Sequence, residues 1–214
     1  MTCVVVGAGG QGRVVLDNWR AARPNERFVF VDDDAKLHGA TILGAEVIGP
    51  IAKVHELGGE VVLAIGNNRT RLALAERLAG VRFGIVIHPS AVVMPSATIG
   101  AGSVVFAGAI VNTSATVGEH VVINTGVIVE HDAVIARGVS LSPGTKSGGR
   151  IEIGEGAFVS TGVTIGARVR IGPWSVIGAG AVVVRDVPPR SLAYGVPAKV
   201  VGDVDDTFDW KRLL

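Results

Sequence analysis

The sequence predicts an α/β domain followed by a solenoid of six-residue repeats. Near the start of the chain, short apolar segments alternate with stretches of helical spacing, a pattern that favours a small parallel sheet. From Ile87 to Val183 an aliphatic residue returns at every sixth position, a period that neither a helix nor a half-buried strand produces. We therefore expect an α/β domain over residues 1–84, a solenoid over 85–187 and a tail over 188–214 that caps the solenoid end.

The α/β domain begins with an apolar strand and a glycine-rich turn. Cys3, the single cysteine of the chain, lies in the first strand and is expected to be a small core residue. A single thiol excludes an intrachain disulfide framework and is typical of a cytoplasmic protein. The predicted strands cover residues 3–6, 27–31, 60–65 and 81–87, and the predicted helices cover residues 13–19 and 69–78.

The glycine-rich turn has the spacing G-x-G-x-x-G through Gly7, Gly9 and Gly12, between a strand and a helix. Glycines let the backbone approach a phosphate, and a helix N-terminus offers free N–H groups to it. Asp32 lies at the end of the next strand, where a carboxylate can bond a ribose or a base. A dinucleotide domain needs a second such half, which the repeats leave no room for. We therefore expect a mononucleotide, such as a nucleotide-sugar; a tight turn without a ligand is the alternative.

Composition excludes other classes of partner. The formal net charge is +1 and the basic residues form no long run, so no nucleic acid or anionic membrane surface is expected. The chain is 48% apolar, but no apolar stretch approaches the roughly 20 residues that span a bilayer. The start of the chain lacks the pattern of a signal peptide, which again predicts a cytoplasmic protein.

The repeat is interrupted once. Of the seventeen positions counted in sixes from Ile87 to Val183, sixteen carry Ile, Val or Leu, and the exception is Ser147. A second series of mostly small residues follows four positions after each, as tight inner corners require. Each unit of such a solenoid buries its apolar side by stacking on its neighbours. A polar residue there must be hydrogen-bonded, so Ser147 indicates either a loosened coil beside a cofactor groove or a buried serine bonded to a backbone carbonyl.

His131 is the strongest candidate for catalysis. It lies two residues past the inward-facing Val129, at an outer corner of the solenoid, between Glu130 and Asp132. A histidine at such a position suits the role of a general base that accepts a proton from a substrate at neutral pH. A neighbouring carboxylate would fix the tautomer of the ring and stabilise the imidazolium.

The repeat pattern resembles the left-handed parallel β-helix of the hexapeptide acyltransferases, in which three hexapeptides form one triangular coil. Asn-Thr-Gly at 124–126, Glu-His-Asp at 130–132, Ser-Pro-Gly at 142–144 and Gly-Val-Pro-Ala-Lys at 195–199 are similar to the bacterial nucleotide-sugar acetyltransferases of surface-glycan biosynthesis. These are bacillosamine- and perosamine-type N-acetyltransferases, akin to sialic acid O-acetyltransferases. The resemblance implies a homotrimer that binds a nucleotide-sugar in the N-terminal domain and acetyl-CoA between two prisms, with direct transfer and no metal.

The same resemblance implies roles for individual residues. His131 would be the base, with Asp132 or Glu130 as its partner, and Asn124 would contact the sugar. Gln11 replaces a histidine common in the family, and Ser140 replaces a second histidine nine residues after the first. The implied nucleotide contacts are Gly9, Gly10, Gln11, Asp32, Asp33, Gly66 and Asn67, and the implied CoA contacts are Ser140, Gly149, Thr161, Ala179 and Lys199.

Three alternatives remain open from the sequence. One is a sugar O-acetyltransferase, and another is a trimeric nucleotide-sensing module without enzymatic activity. The third is a hexapeptide zinc enzyme of the γ-carbonic-anhydrase type, which needs three converging histidines. Only His120 and His131 are plausible neighbours for that purpose, because His88 lies more than thirty residues from either.

Overall fold

In a computed structural model, which describes residues 1–205 and 208–209, the N-terminal region forms one parallel sheet flanked by helices. Two short 3-10 helices, Ala35–Leu37 and Ile51–Lys53, lie in its loops. The elements in chain order are β1 (Thr2–Val6), α1 (Gly10–Ala22), β2 (Arg27–Val31), β3 (Thr41–Ile42), β4 (Ala45–Val47), α2 (Val54–Leu57), β5 (Glu60–Leu63) and α3 (Asn68–Arg77).

The sheet has the strand order β3-β4-β2-β1-β5, and only the β3–β4 pair is antiparallel. Its central strands are apolar on both sides, as expected of a parallel sheet covered on both faces. Cys3 and Val5 pack with Trp19 of α1 on one face, while Val4 packs with Leu74 of α3 on the other. Cys3 is fully buried, which confirms its predicted place in the core, and burial raises the pKa of its thiol.

The strand predicted over residues 81–87 is only partly present. Phe83 forms a single bridge with Val61, and the last two residues of the range belong to the solenoid instead. Gly84 packs so closely against Glu60 that a β-carbon there would lie 2.9 Å from the Glu60 carboxylate. This buried carboxylate pairs with Arg23 at 2.6 Å and Arg82 at 2.8 Å. At the sheet edge itself the Val61 amide donates to the Arg82 carbonyl at 2.9 Å and the Gly84 amide donates to the Val61 carbonyl at 3.0 Å, so the chain pairs there only over this bridge before it enters the solenoid.

The solenoid is a left-handed β-helix of seventeen two-residue strands, each ending at a repeat position. The first face holds β6 (Val86–Ile87), β9 (Val104–Val105), β12 (Val122–Ile123), β15 (Ser140–Leu141), β18 (Phe158–Val159) and β21 (Val176–Ile177). The second face holds β7 (Val92–Val93), β10 (Ile110–Val111), β13 (Ile128–Val129), β16 (Lys146–Ser147), β19 (Thr164–Ile165) and β22 (Val182–Val183). The third face holds β8 (Thr98–Ile99), β11 (Thr116–Val117), β14 (Val134–Ile135), β17 (Glu152–Ile153) and β20 (Arg170–Ile171).

The repeat positions form the solenoid core. From Val105 to Val183 their exposure is at most 2%, apart from Ser147, and the small residues of the second series are fully buried beside them over the same coils. At the open first coil the repeat residues are less buried, and Ile87 is 36% exposed. Val93 and Ile99 are also only partly buried there, because no preceding coil covers them.

The N-terminal domain packs on the first face of the prism. Outward-facing Val86, Val104 and Val122 of that face share one apolar cluster with α1, and Asn18 of α1 accepts a hydrogen bond from the Ala107 amide at 3.1 Å. We call the turn between the first and second faces the first corner, and the turn between the second and third faces the second corner. Because a triangular prism has three corners, the second corner is the one opposite the domain-bearing face.

The tail continues the first face beyond the last coil. β23 (Ser191–Gly195) pairs with β21, and β24 (Ala198–Asp203) returns antiparallel to it. Ala193 is 1% exposed and joins the solenoid core. Trp210, expected to take part in the cap, lies outside the described residues. Within the described part of the chain, no helix has both the length and the apolar character needed to cross a bilayer.

Candidate active site

The second corner presents His131 and Asp132 to solvent. They follow β13 in a tight turn in which Asp132 adopts φ 57°, a left-handed conformation that aspartate tolerates better than most residues. The Asp132 amide donates to the Thr113 carbonyl of the preceding coil at 3.0 Å. The side chains of His131 and Asp132 remain 50% and 46% exposed, so a rigid backbone carries an accessible pair.

Asp132 is the carboxylate that orients the His131 ring. Its Oδ2 lies 2.9 Å from His131 Nδ1 and 3.5 Å from Arg150 Nε. The hydrogen bond with His131, and then the Arg150 guanidinium, lower the pKa of Asp132 below its usual value. An ionised Asp132 accepts from Nδ1–H, which leaves Nε2 as the basic nitrogen of a neutral ring. Among the described residues Nε2 has no hydrogen-bond partner, so it is free to accept a proton from a substrate.

Glu130 holds the backbone of the turn and does not contact the ring through a hydrogen bond. Its Oε2 accepts from the His131 amide at 3.1 Å, and its Oε1 accepts from Asn112 Nδ2 at 3.2 Å. The two carboxylates beside His131 therefore differ in role, a distinction that the sequence leaves open. Sequence reasoning also missed Asn112 and Arg150, because each meets this turn from an adjacent coil.

Ser147 alters the strand ladder beneath His131. At equivalent places on this face an amide donates to a carbonyl, for example Asn112 to Val129 at 2.9 Å. The Glu130 amide instead donates to Ser147 Oγ at 3.1 Å, and β13 pairs with β16 only through Ile128 and Lys146. The structure thus agrees with a local loosening of one coil. The alternative, a serine bonded to a backbone carbonyl, is wrong because the partner is an amide.

Replacing Ser147 by valine restores the repeat and is expected to separate stability from activity. The variant buries an additional aliphatic side chain, which should stabilise the fold by about 1 kcal/mol. The Glu130 amide loses its side-chain acceptor, which shifts the turn that carries His131 and should lower kcat about 10- to 100-fold. Thermal unfolding and steady-state kinetics measure the two effects. Ser147→Thr retains the hydroxyl and should retain activity; full activity in Ser147→Val would contradict the prediction.

Gly149 lies one coil after His131 and directly against its ring. A β-carbon at position 149 would be 2.4 Å from His131 Nε2 and 2.6 Å from its Cε1. Glycine is therefore the residue that leaves room for the imidazole. The sequence implies Gly149 as a CoA contact, and the structure places it beside the nitrogen that would act as base.

A second site surrounds the glycine-rich turn. Gly9 and Gly10 open α1, the helix has no side-chain N-cap, and a β-carbon at either glycine would meet nothing within 4 Å. Among the residues that the structure describes, the N–H groups of this first turn have no partner and face an open space, which suits an anion. A β-carbon at Gly12 would lie 2.1 Å from the Gly7 carbonyl oxygen, so the third glycine permits the close approach of helix and strand. A cavity of about 520 Å³ is lined by Gly7, Gly9, Gly10, Gln11, Asp32, Ala64, Ile65, Gly66 and Asn67.

The two aspartates after β2 point to different places. Asp32 lines the cavity and accepts from the Ala8 amide at 2.8 Å, which fixes the glycine-rich turn. Asp33 accepts from the Ile51 amide at 2.9 Å and borders a separate cavity of about 270 Å³ with Arg77. Asp33 is therefore not placed with the glycine-rich turn. Asn67 caps α3, accepting from the Thr70 amide at 3.0 Å.

A smaller cavity joins the N-terminal domain to the solenoid. It measures about 200 Å³ and brings Gln11 and Gly66 together with Asn124 and Thr161 at the first corner. Ser140, expected to contact CoA, is only 6% exposed and bonds within the domain interface. Ser140 also lines this cavity, so the structure places both Ser140 and Thr161 beside the nucleotide-type cavity instead of beside His131.

The remaining implied CoA residues are also distant from His131 within one chain. Ala179 is exposed at the first corner, in the turn between β21 and β22. Lys199 is exposed on β24, opposite Tyr194. On the prism, Asn124, Thr161 and Ala179 thus lie at the first corner, whereas His131, Asp132 and Gly149 lie at the second.

The zinc-enzyme alternative finds no support in the described residues, which contain no group of three His, Cys, Asp or Glu side chains able to hold a metal. His120 is 4% exposed, with its ring edge-on to Phe83 at a centroid distance of 4.6 Å. His88 Nδ1 lies 2.8 Å from Ser90 Oγ. The three solenoid histidines thus have separate surroundings.

His120 is expected to make the fold sensitive to acid. Burial, aided by the positive charges of Arg71 and Arg137 and opposed by Glu119, lowers its pKa from 6.5 to about 4. Since the unfolded chain binds this proton more readily, the contribution to stability is complete above about pH 6.5 and is lost as the pH falls towards 4, by up to about 3 kcal/mol.

A variant without the His120 imidazole should lose less of its free energy of unfolding when the pH is lowered. His120 has φ 55°, a conformation that asparagine also adopts, so His120→Asn is the suitable variant. Urea unfolding at several pH values between 4 and 7 should show a smaller decrease for the variant than for the wild type. Equal decreases in the two proteins would assign the acid sensitivity to other groups.

Comparison with known proteins places the chain in the class that its fold and paired sites define, the hexapeptide-repeat acyltransferases. Residues 3–78 match the family described as PglD N-terminal domain, and residues 150–185 match the bacterial transferase hexapeptide (six repeats). A variant of perosamine N-acetyltransferase from Caulobacter crescentus, in complex with CoA and GDP-perosamine, is 36% identical with a TM-score of 0.88. That match covers 95% of this chain and 98% of the other.

Two further relatives support the same family. The acetyltransferase domain of PglB from Neisseria gonorrhoeae, in complex with acetyl coenzyme A, is 36% identical with a TM-score of 0.89 over 94% of this chain and 98% of the other. A UDP-N-acetylbacillosamine N-acetyltransferase from Bacillus subtilis is 39% identical over 108 residues, 46% of this chain and 48% of that relative. The chain belongs to the bacterial nucleotide-sugar N-acetyltransferase family of the bacillosamine and perosamine type. This membership confirms the predicted fold class and the prediction of an acyltransferase.

Proposed function

We propose that the protein transfers the acetyl group of acetyl-CoA to the amine of a nucleotide-linked amino sugar, such as an amino dideoxy sugar, in surface-glycan biosynthesis. The observation that carries the proposal is the exposed His131–Asp132 pair, in which Nε2 has no partner among the described residues. The same chain carries a helix N-terminus at Gly9 and Gly10 that faces an open cavity. The names of the relatives, and the CoA and nucleotide-sugar bound to one of them, support the same substrates.

In the proposed mechanism His131 acts as a general base in one direct transfer. Its Nε2 removes a proton from the substrate amine as the nitrogen attacks the thioester carbonyl carbon. A C–N bond forms, the C–S bond breaks, and the proton passes from the imidazolium to the departing CoA thiolate. Asp132 stabilises the imidazolium through Nδ1–H. Glu130 maintains the turn through the His131 amide.

We further propose that the site is completed between copies in a homotrimer. One nucleotide-type cavity lies in the N-terminal domain and the other reaches the first face and the first corner, whereas His131 lies at the second corner across the second face. If the first corner of one copy faces the second corner of the next, Asn124 and Thr161 approach the His131 of that neighbour. The groove between the two prisms would then hold acetyl-CoA, with Gly149 on one wall and Thr161 and Ala179 on the other.

Thiol release from acetyl-CoA, measured against a panel of UDP-, GDP- and dTDP-linked amino sugars, tests the function. We expect one acceptor class to consume acetyl-CoA and to yield an amide, identified by mass spectrometry. An ester product would favour a sugar O-acetyltransferase, although the relatives' names favour N-acetylation. Nucleotide binding without thiol release for any acceptor would favour the sensing module.

A further inference from the structure

A buried arginine joins the two domains directly behind the nucleotide-type cavity. Arg71 of α3 is 1% exposed and makes five hydrogen bonds. Its acceptors are the carbonyls of Ile65, His120 and Gly138, the side-chain oxygen of Asn68, and Ser140 Oγ, at distances from 2.7 to 3.2 Å. All of these acceptors are neutral, so the positive charge is hydrogen-bonded without being neutralised.

Among the described residues no carboxylate forms an ion pair with Arg71. Burial lowers its pKa to about 10, so the guanidinium still carries its charge at neutral pH. A buried charge without an ionic partner is costly, and neutral residues could join two domains at a smaller cost. The charge is therefore available to act on an anion that arrives from outside the chain.

The position of Arg71 indicates where that anion would lie. Two of its partners border the cavities: Ile65 lines the one around the glycine-rich turn, and Ser140 lines the one shared with Asn124. Gly66, next to Ile65, lines both. Asn68 fixes the geometry by accepting from Arg71 and donating to the Gly156 and Ala157 carbonyls at 3.1 and 3.0 Å. One thin wall thus separates the guanidinium from the space that the free N–H groups of α1 face.

We infer that Arg71 is a fixed counter-charge for the diphosphate of the bound nucleotide-sugar, acting through this wall without touching the ligand. The inference rests on the proposed function, because it takes the ligand to be a nucleoside diphosphate derivative. At an effective dielectric constant of about 20 and a separation of about 8 Å, one unit charge changes an affinity about thirty-fold. The effect should grow with the charge of the ligand.

Calorimetric titration of the full-length protein with UDP, GDP and dTDP, and with the corresponding monophosphates, tests the inference. In Arg71→Met the diphosphate that binds the wild type best should bind at least about thirty-fold more weakly, and its monophosphate should lose less. In Arg71→Lys, which keeps the charge but not the five hydrogen bonds, both affinities should stay within about five-fold of the wild type. CoA affinity should not change in either variant.

Arg20→Met is the matched control. Arg20 belongs to the last turn of α1, at the opposite end from Gly10, and it donates to the Leu43 carbonyl. This variant loses the same charge in the same domain and should bind all nucleotides as the wild type does. An equal loss for diphosphate and monophosphate in Arg71→Met would overturn the inference in favour of a purely structural role.

Arg71→Lys keeps the test decisive if Arg71→Met does not fold. A folded lysine variant, with the thermal midpoint of the wild type, that loses diphosphate binding more than thirty-fold would show that the hydrogen bonds matter and the charge does not. If the lysine variant keeps the wild-type preference for diphosphate over monophosphate, the counter-charge is supported. A wild-type protein that binds none of the three diphosphates would contradict the proposed function itself and, with it, the inference.

Discussion

Replacement of His131 by asparagine is expected to lower kcat for acetyl transfer about 10²- to 10⁴-fold, the usual contribution of a general base. Asparagine can still bond Asp132 but cannot accept the amine proton. Because the His131 side chain is half exposed and lies outside the solenoid core, the free energy of unfolding should change by less than about 0.5 kcal/mol. Thiol release under saturating substrates, with thermal unfolding of the same samples, measures both quantities.

The same substitution at His55 provides the control. His55 is exposed on α2 in the N-terminal domain and has no part in either cavity beside the solenoid. His55→Asn should therefore keep the activity of the wild type. If His131→Asn retained more than about a tenth of the wild-type kcat while binding both substrates, another group would have to remove the proton, and the proposed mechanism would be wrong.

The sequence predicts the solenoid well because its order is local. Each inward residue is fixed by its position in the six-residue period, so a count along the chain places all seventeen strands, including the one that Ser147 interrupts. The α/β domain follows from the alternation of elements, although the short β3, β4 and α2 carry too few residues to show a period. The strand expected over residues 81–87 is reduced to a bridge at Phe83 and the short β6, because the chain leaves the edge of the sheet to enter the solenoid, and no local pattern shows where this happens.

The site is predicted less completely because its contacts cross long stretches of sequence. The Glu-His-Asp motif identifies a candidate base, but only the stacked coils show that Asp132 contacts the ring while Glu130 bonds the backbone. In the sequence, Arg71 cannot be distinguished from an exposed arginine of a surface helix. Its bonds to Gly138 and Ser140 span 67 and 69 residues, so its burial becomes visible only when the domain is placed on the solenoid.

One coil of the solenoid takes eighteen residues, and its geometry separates site residues that the resemblance to the acetyltransferase family places in one site. Asn124 and His131 are close in sequence, yet the intervening strand β13 carries the chain from the first corner to the second. Thr161 stands two coils after Thr125 at the first corner, whereas Gly149 stands one coil after His131 at the second. The proposed groove between two prisms would bring both groups together, and their separation within one chain is the physical basis for the proposed shared site.

Replacement of Gly149 by alanine is expected to reduce activity nearly as much as loss of His131, without destabilising the fold. The added β-carbon would lie within 3 Å of three ring atoms of His131 and of nothing else among its nearest neighbours. Gly149 has no positive φ, so alanine fits its backbone. The exposed imidazole can turn away at little cost in stability, but Nε2 then leaves its position, and kcat should fall about 10²-fold, as for other displaced catalytic groups.

Gly202→Ala is the matched control, because a β-carbon at that position meets nothing within 4 Å and its φ is also unrestrictive. The two alanine variants should show thermal midpoints within about 2 °C of the wild type, a difference below about 1 kcal/mol. Only Gly149→Ala should lose kcat, and its KM for the nucleotide-sugar should hold because the glycine-rich cavity is on another face. An unchanged kcat in a folded Gly149→Ala protein would contradict this prediction. It would mean that His131 acts from a different rotamer than the one packed against Gly149.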